Sequence, residues 1–153
     1  MIKRIKIAAA LSGLMMSQAV MAAAPETSHW SYTGDTGPAY WADIDDDFSM
    51  CGLGRNQSPV DIDGAIDAEL PPLQLDYATT GTRVFNNGHT VQVASPEGNT
   101  LTLDGDLFIL QQMHFHAPSE HTVDGRRFPL EAHLVHSDKD GNLAVVTVLF
   151  EEG

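Results

Sequence analysis

From Leu73 to Phe150 the chain breaks into short segments rich in Val, Thr, Leu, Ile and Phe, each followed by a turn signal, and this rhythm points to an antiparallel sheet. The segments are Leu73 to Tyr77, Thr82 to Asn86, Thr90 to Ala94, Thr100 to Leu103, Leu107 to Phe115, Leu130 to His136 and Leu143 to Phe150. Asn87-Gly88, Pro96-Glu97-Gly98, Asp104-Gly105 and Asp140-Gly141 punctuate them, and these are residue types that tight connections require. The stretch from His29 to about Asp63 is rich in Gly, Pro, Asp and aromatics without a sustained period, which predicts an ordered, loop-dominated segment. No amphipathic helix of more than two turns stands out. The expected fold is mainly β: a single domain around a largely antiparallel central sheet, preceded by a loop-rich N-terminal segment.

Two of these segments carry histidines. In Gln112-Met113-His114-Phe115-His116 the imidazoles are two residues apart, so in a strand they project from the same face, about 6.6 Å apart at roughly 3.3 Å per residue. The turn-rich Val123-Asp124-Gly125-Arg126-Arg127 lets an antiparallel return strand bring His133 beside them. Three protein nitrogens leave one tetrahedral position of a zinc ion open, which marks a catalytic rather than a structural site. A His-x-His pair alone carries little, because strands also hold solvent-facing histidines. The neighbours strengthen it: Gln112 precedes His114 by two residues and Glu131 precedes His133 by two. Each therefore shares a face with a histidine whose second ring nitrogen it can orient.

Composition excludes several functions. Lys3, Arg4 and Lys6 precede an apolar stretch to about Val20, with Ala22, Ala23 and Ala24 after it. That is the layout of a secretory signal peptide over residues 1–24, cleaved near Ala22 to Ala24, and it predicts a periplasmic or secreted protein. Removal leaves five basic residues against 21 acidic ones, about −16, so nucleic acid is excluded as a partner. No later segment is long and apolar enough for a spanning helix, and no membrane partner is expected after cleavage. Residues 25–153 suffice for one core; a homodimer is left open. The lone Cys51 is a free thiol, an intermolecular bond or half of a pair whose partner is absent from this sequence. The third option is attractive because the apolar segment Leu143 to Phe150 stops three residues before the end. The Asp43 to Asp47 acidic run lacks the glycine and terminal glutamate of a calcium loop and reads as a solvated loop.

Taken together, the motifs resemble the α-class carbonic anhydrases. The resemblance rests on the Gln-x-His-x-His and Glu-x-His pieces, on Ser119-Glu120-His121-Thr122-Val123-Asp124-Gly125, Glu131-Ala132-His133-Leu134-Val135-His136 and Asn86-Asn87-Gly88-His89, on Gln57-Ser58-Pro59-Val60-Asp61-Ile62, and on His29-Trp30-Ser31-Tyr32 and Gly37-Pro38-Ala39-Tyr40-Trp41.

This resemblance implies a zinc enzyme, a carbonate dehydratase of the lyase class, that hydrates carbon dioxide to bicarbonate and a proton through a zinc-bound hydroxide. His114, His116 and His133 match the zinc ligands, and Gln112 and Glu131 match the residues that orient His114 and His133. His89 matches the proton shuttle, a role that needs a group titrating near neutral pH. Glu120 matches the carboxylate of the hydroxide-orienting network, where it accepts from a threonine hydroxyl. Val135 and Val145 match apolar lining of the carbon dioxide pocket, and Tyr32 and Gln92 match its polar side. His121 and His136 match structural histidines, and His29 is expected at the surface. Cys51 matches the first half of a disulfide in bacterial members. The chain covers somewhat more than half of the family's catalytic domain, so the resemblance also predicts that the hydroxide-orienting threonine and a second cysteine lie beyond Gly153. It further predicts that this chain can be inactive and poorly soluble alone. A catalytically silent domain of the same fold would be expected to lose a ligand histidine, and none is lost. A zinc-buffering protein would be expected to carry a flexible His-rich tract.

Overall fold

The hairpin connections show how local chemistry sets the architecture. A computed structural model describes residues 29–78 and 80–153; the segment read as a signal peptide lies outside the described residues. Two single-turn helices, α1 (Trp41–Ile44) and α2 (Met50–Leu53), with three 3-10 turns beside them, form the N-terminal segment. The strands are β1 (Asp61–Ile62), β2 (Gln74–Tyr77), β3 (Arg83–Asn86), β4 (Val91–Ala94), β5 (Asn99–Leu103), β6 (Asp106–His116), β7 (Thr122–Val123), β8 (Leu130–Ser137) and β9 (Leu143–Phe150). β5 and β6 are joined by Asp104-Gly105 with φ of 51° and 93°. Two successive left-handed residues make a turn whose twist matches that of the flanking strands, and Asp-Gly is a preferred pair there.

Seven strands form one antiparallel sheet. β6 is its spine: its early half pairs with β5, its later half with β4, and its other edge with β8 over most of its length. β2 extends the sheet from β5, β3 from β4, and β9 from β8. The register of β6 against β8 slips between Leu110 and Gln112, so Gln111 is an extra residue where β6 changes neighbour from β5 to β4. The bulge resets the alternation. Leu110 pairs with His136, whereas Gln112 pairs with Val135, which places Gln112, His114 and His116 on the face opposite Leu110. A strict two-residue period would have put them all on one face. The parallel pair β1 and β7, Asp61 with Thr122 and Ile62 with Val123, was not expected from sequence. It is too short for a period to register, and it is held by a hydrogen bond of 2.6 Å from the Thr122 hydroxyl to Asp61 Oδ1.

Buried polar groups are as prominent as apolar ones. Among the described residues Leu101, Leu110, Phe128 and Ala132 are the buried apolar side chains, beside buried Asn99, Ser119, Glu131, His133 and His136. His136 is fully buried. Its Nδ1–H donates to the Ala144 carbonyl at 3.2 Å and its Nε2 accepts from the Tyr77 hydroxyl at 2.8 Å; burial lowers its pKa and keeps the ring neutral. Meanwhile Leu143, Val145, Val148 and Phe150 of β9 are exposed, and β9 pairs on one edge with β8. An exposed apolar strand with an open edge is a template for association. The 153-residue chain is therefore expected to self-associate in light scattering, and Val148→Lys to shift it measurably toward monomer. A monodisperse wild-type monomer with a cooperative melt would refute this.

Candidate metal centre

His114 and His133 form a directly opposed cross-strand pair of β6 and β8, and His116 stands opposite Glu131 two positions along. The ring centroids are 4.9 Å apart for His114 and His116, 5.1 Å for His114 and His133, and 4.8 Å for His116 and His133. One nitrogen from each ring lies within 4.8 Å of the others. The hydrogen bonds show which nitrogens are left uncommitted. His114 Nδ1–H donates to Gln112 Oε1 at 2.9 Å, leaving Nε2 with its lone pair. His133 Nε2–H donates to Glu131 Oε1 at 2.7 Å, leaving Nδ1. For His116, the Tyr32 hydroxyl lies 3.4 Å from Nδ1, and Nε2 is buried without a hydrogen-bond partner among the described residues. Burial and the neighbouring imidazoles lower the pKa of His114, and burial lowers that of His116, so both rings are neutral near pH 7 with lone pairs available. A buried orphan nitrogen is costly unless something fills its lone pair. Three clustered imidazole nitrogens are a donor set suited to zinc, and the residues fit that ion.

Glu131 anchors the arrangement. It is fully buried, and its carboxylate accepts four hydrogen bonds: from His121 Nδ1 at 2.5 Å and His133 Nε2 at 2.7 Å, and from the main-chain N–H groups of Glu120 at 2.6 Å and His121 at 3.0 Å. Burial alone would raise its pKa, but these donors outweigh burial and hold it at about 2. The link from Glu131 to residues 120 and 121 spans a chain reversal that no local pattern reveals. His121 also lies 3.3 Å from the Ser58 hydroxyl. It belongs to a second cluster with Glu131 and His133, and hydrogen bonding accounts for that cluster.

A cavity of about 410 Å³ opens over His114 and His116, lined among others by Trp30, Tyr32, Cys51, His89, Gln92 and Glu120. Tyr32 donates its hydroxyl to Glu120 Oε1 at 2.8 Å. Partial burial and this carboxylate raise the Tyr32 pKa well above the usual phenol range. Glu120 Oε2 lies 3.3 Å from His116 Nε2 and 4.0 Å from His133 Nδ1, so this carboxylate stands beside the nitrogens left open for a metal. Among the described residues its hydroxyl partner is a tyrosine rather than a threonine. His89 is exposed at the cavity mouth, its ring stacked on Trp30 at 3.7 Å and 6°. His29 is exposed and stacks on His89 at 5.4 Å. Gln92 pairs with His114 across β4 and β6 and accepts from Asn87 Nδ2 at 3.0 Å. Val135 and Val145 share the site's sheet face through pairing with Gln112 and with each other. They do not wall the cavity, and Val145 is half exposed. Cys51 is exposed and unbonded. Trp30 and Trp41 entered the sequence argument only as motif landmarks; the structure makes both of them cavity walls.

Comparison with known proteins agrees with this geometry. Residues 36–152 match the model of the eukaryotic-type carbonic anhydrase family. A carbonic anhydrase of Pectobacterium atrosepticum is 49% identical over 140 residues, covering 92% of this chain and 57% of that protein. A hyperthermostable carbonic anhydrase from a hydrothermal vent chimney superposes with a TM-score of 0.78 at 52% identity, over 82% of this chain and 56% of its own. The α-carbonic anhydrase of Thermovibrio ammonificans, solved with sulfanilamide, gives 0.79 at 45% identity, over 84% and 57%. The curled antiparallel sheet is the architecture of the α-carbonic anhydrases, and the chain belongs to that family. It spans somewhat more than half the length of these relatives.

Glu131 generates two expectations. Glu131→Gln weakens zinc binding by roughly 10- to 100-fold in chelator competition, the range typical for residues that orient ligands. Because its folded pKa is depressed from 4.5 to about 2, the stability it contributes is present above pH 4.5 and is lost as pH falls from there toward 2. A shift of that size is worth roughly 3 kcal/mol. Urea midpoints of the zinc-free protein should fall across this window, and the fall should flatten in Glu131→Gln.

Proposed function

We propose that this chain carries the zinc-binding and proton-exporting part of an exported carbonic anhydrase, acting on carbon dioxide and bicarbonate. The observation that carries the reading is the trio of uncommitted nitrogens, His114 Nε2, His116 Nε2 and His133 Nδ1, facing one point beneath the cavity. Zinc bound there supplies a Lewis acid that generates a nucleophile from water at neutral pH.

The chain's own residues set the conditions. Gln112 and Glu131 fix the tautomers of His114 and His133, and the buried charge of Glu131 makes the His133 ring a stronger donor. Glu120, held by Tyr32, serves as a hydrogen-bond acceptor at the centre. The Trp30, Trp41 and Phe48 walls make the approach apolar, which suits a small nonpolar substrate. His89, at the rim of the same cavity and stacked on Trp30, passes the proton released in each turnover to buffer. Activated esters are side substrates for the same centre. The basic, apolar, small-residue order of the first 24 residues supports export to the periplasm or beyond.

Stopped-flow hydration of carbon dioxide by the zinc-loaded chain tests the reading. The expected result is activity that a chelator abolishes and zinc restores, and that His114→Ala lacks. His89→Ala should slow turnover about tenfold in weak buffer and little in strong buffer. A wild-type chain that binds zinc no more tightly than His114→Ala in chelator competition would sink the proposal.

A further inference from the structure

Pairing between β4 and β6 runs Ala94 with Gln112, Val93 with Met113 and Gln92 with His114, so it stops just before the midpoint of the ligand pair. Phe115, between His114 and His116, turns its main chain to a side chain instead. Its N–H donates to Thr90 Oγ1 at 3.2 Å, and its carbonyl accepts a short hydrogen bond from the same hydroxyl. The other carbonyl near that hydroxyl, that of Val91, is farther away at 3.4 Å. A threonine hydroxyl has one proton to give and lone pairs with which to accept, so a single oxygen serves both main-chain groups of Phe115. Thr90 is itself held. Its N–H donates to Asn87 Oδ1 at 2.9 Å, its carbonyl accepts from Asn87 N at 3.1 Å, and the neighbouring His89 N–H donates to Asn87 Oδ1 at 3.0 Å. On the far edge of β6, Phe115 pairs with Ala132 of β8.

We propose that Thr90 is a positioning residue for the metal ligands: its hydroxyl fixes the peptide groups between His114 and His116, and thereby the angle at which the two imidazoles meet. Without it, both main-chain groups of Phe115 lose their partner in a partly buried site, and the strand shifts to recover them. The same turn carries His89, so one Asn87-braced loop places both the proton acceptor at the rim and the backbone of the ligand strand. The consequence for metal binding rests on the zinc reading above; the fixing of Phe115 does not.

The test compares the full chain with Thr90→Val, which keeps the shape and removes the hydroxyl, and with Thr90→Ser, which restores it. In zinc-free protein, amide exchange at Phe115 should accelerate at least tenfold in Thr90→Val and stay near wild type in Thr90→Ser. Chelator competition should show zinc affinity at least tenfold weaker in Thr90→Val and within about threefold of wild type in Thr90→Ser. Wild-type exchange in Thr90→Val overturns the inference. Faster exchange with unchanged zinc affinity also overturns it, by reducing Thr90 to a structural role. A wild-type chain that binds no zinc sinks the zinc reading, and the Phe115 exchange then decides alone whether the hydroxyl fixes the strand.

Discussion

The register of β6 against β8 is the constraint on which the site depends. It sets His114 opposite His133 and His116 opposite Glu131, so the three ligands and the carboxylate that orients the His133 ring meet across one ladder. A slip of one residue would turn every one of these side chains to the other face. The bulge at Gln111 protects that arrangement. It absorbs the exchange of β5 for β4 along β6 and lets Leu110 face the buried side with His136 while the ligands face the cavity.

Charge is the second organising element. Glu131 carries a negative charge with no solvent exposure, a state tolerated only because four donors surround it. Those donors come from β8 itself and from residues 120 and 121, so the carboxylate ties the return loop to the sheet and sets the tautomer of His133 in the same act. Stability and chemistry share these bonds, so the two cannot be altered separately at this residue. With few buried apolar side chains among the described residues, polar networks of this kind bear a large share of the tertiary order.

Much of the sheet was legible in the sequence. Leu143–Phe150 coincides with its predicted segment, and the other predicted strands differ from the observed ones by a single residue at one or both ends. Turn chemistry explains this: Asp104-Gly105 and Asn87-Gly88 state where the chain reverses, and β-branched runs state what lies between. The parallel pairing of Asp61–Ile62 with Thr122–Val123 was not legible, because two residues have no period and their partner lies sixty positions away. The bulge at Gln111 was hidden for a related reason: it follows from which strands flank β6, not from any residue in it.

The same division runs through the site. His-x-His alternation, with Gln112 and Glu131 each two residues ahead of a histidine, declared by itself that imidazoles and their orienting partners share a strand face, because a strand has a period of two. That the three rings converge was decided by the tertiary structure. So were the approach of Glu120 to the open nitrogens, the stacking of His89 on Trp30 and the service of Phe115 by Thr90. Apart from Glu120 and His116, four residues apart, these contacts join residues far apart in the chain, and they exist only once the sheet's register and the N-terminal segment's course over it bring them together.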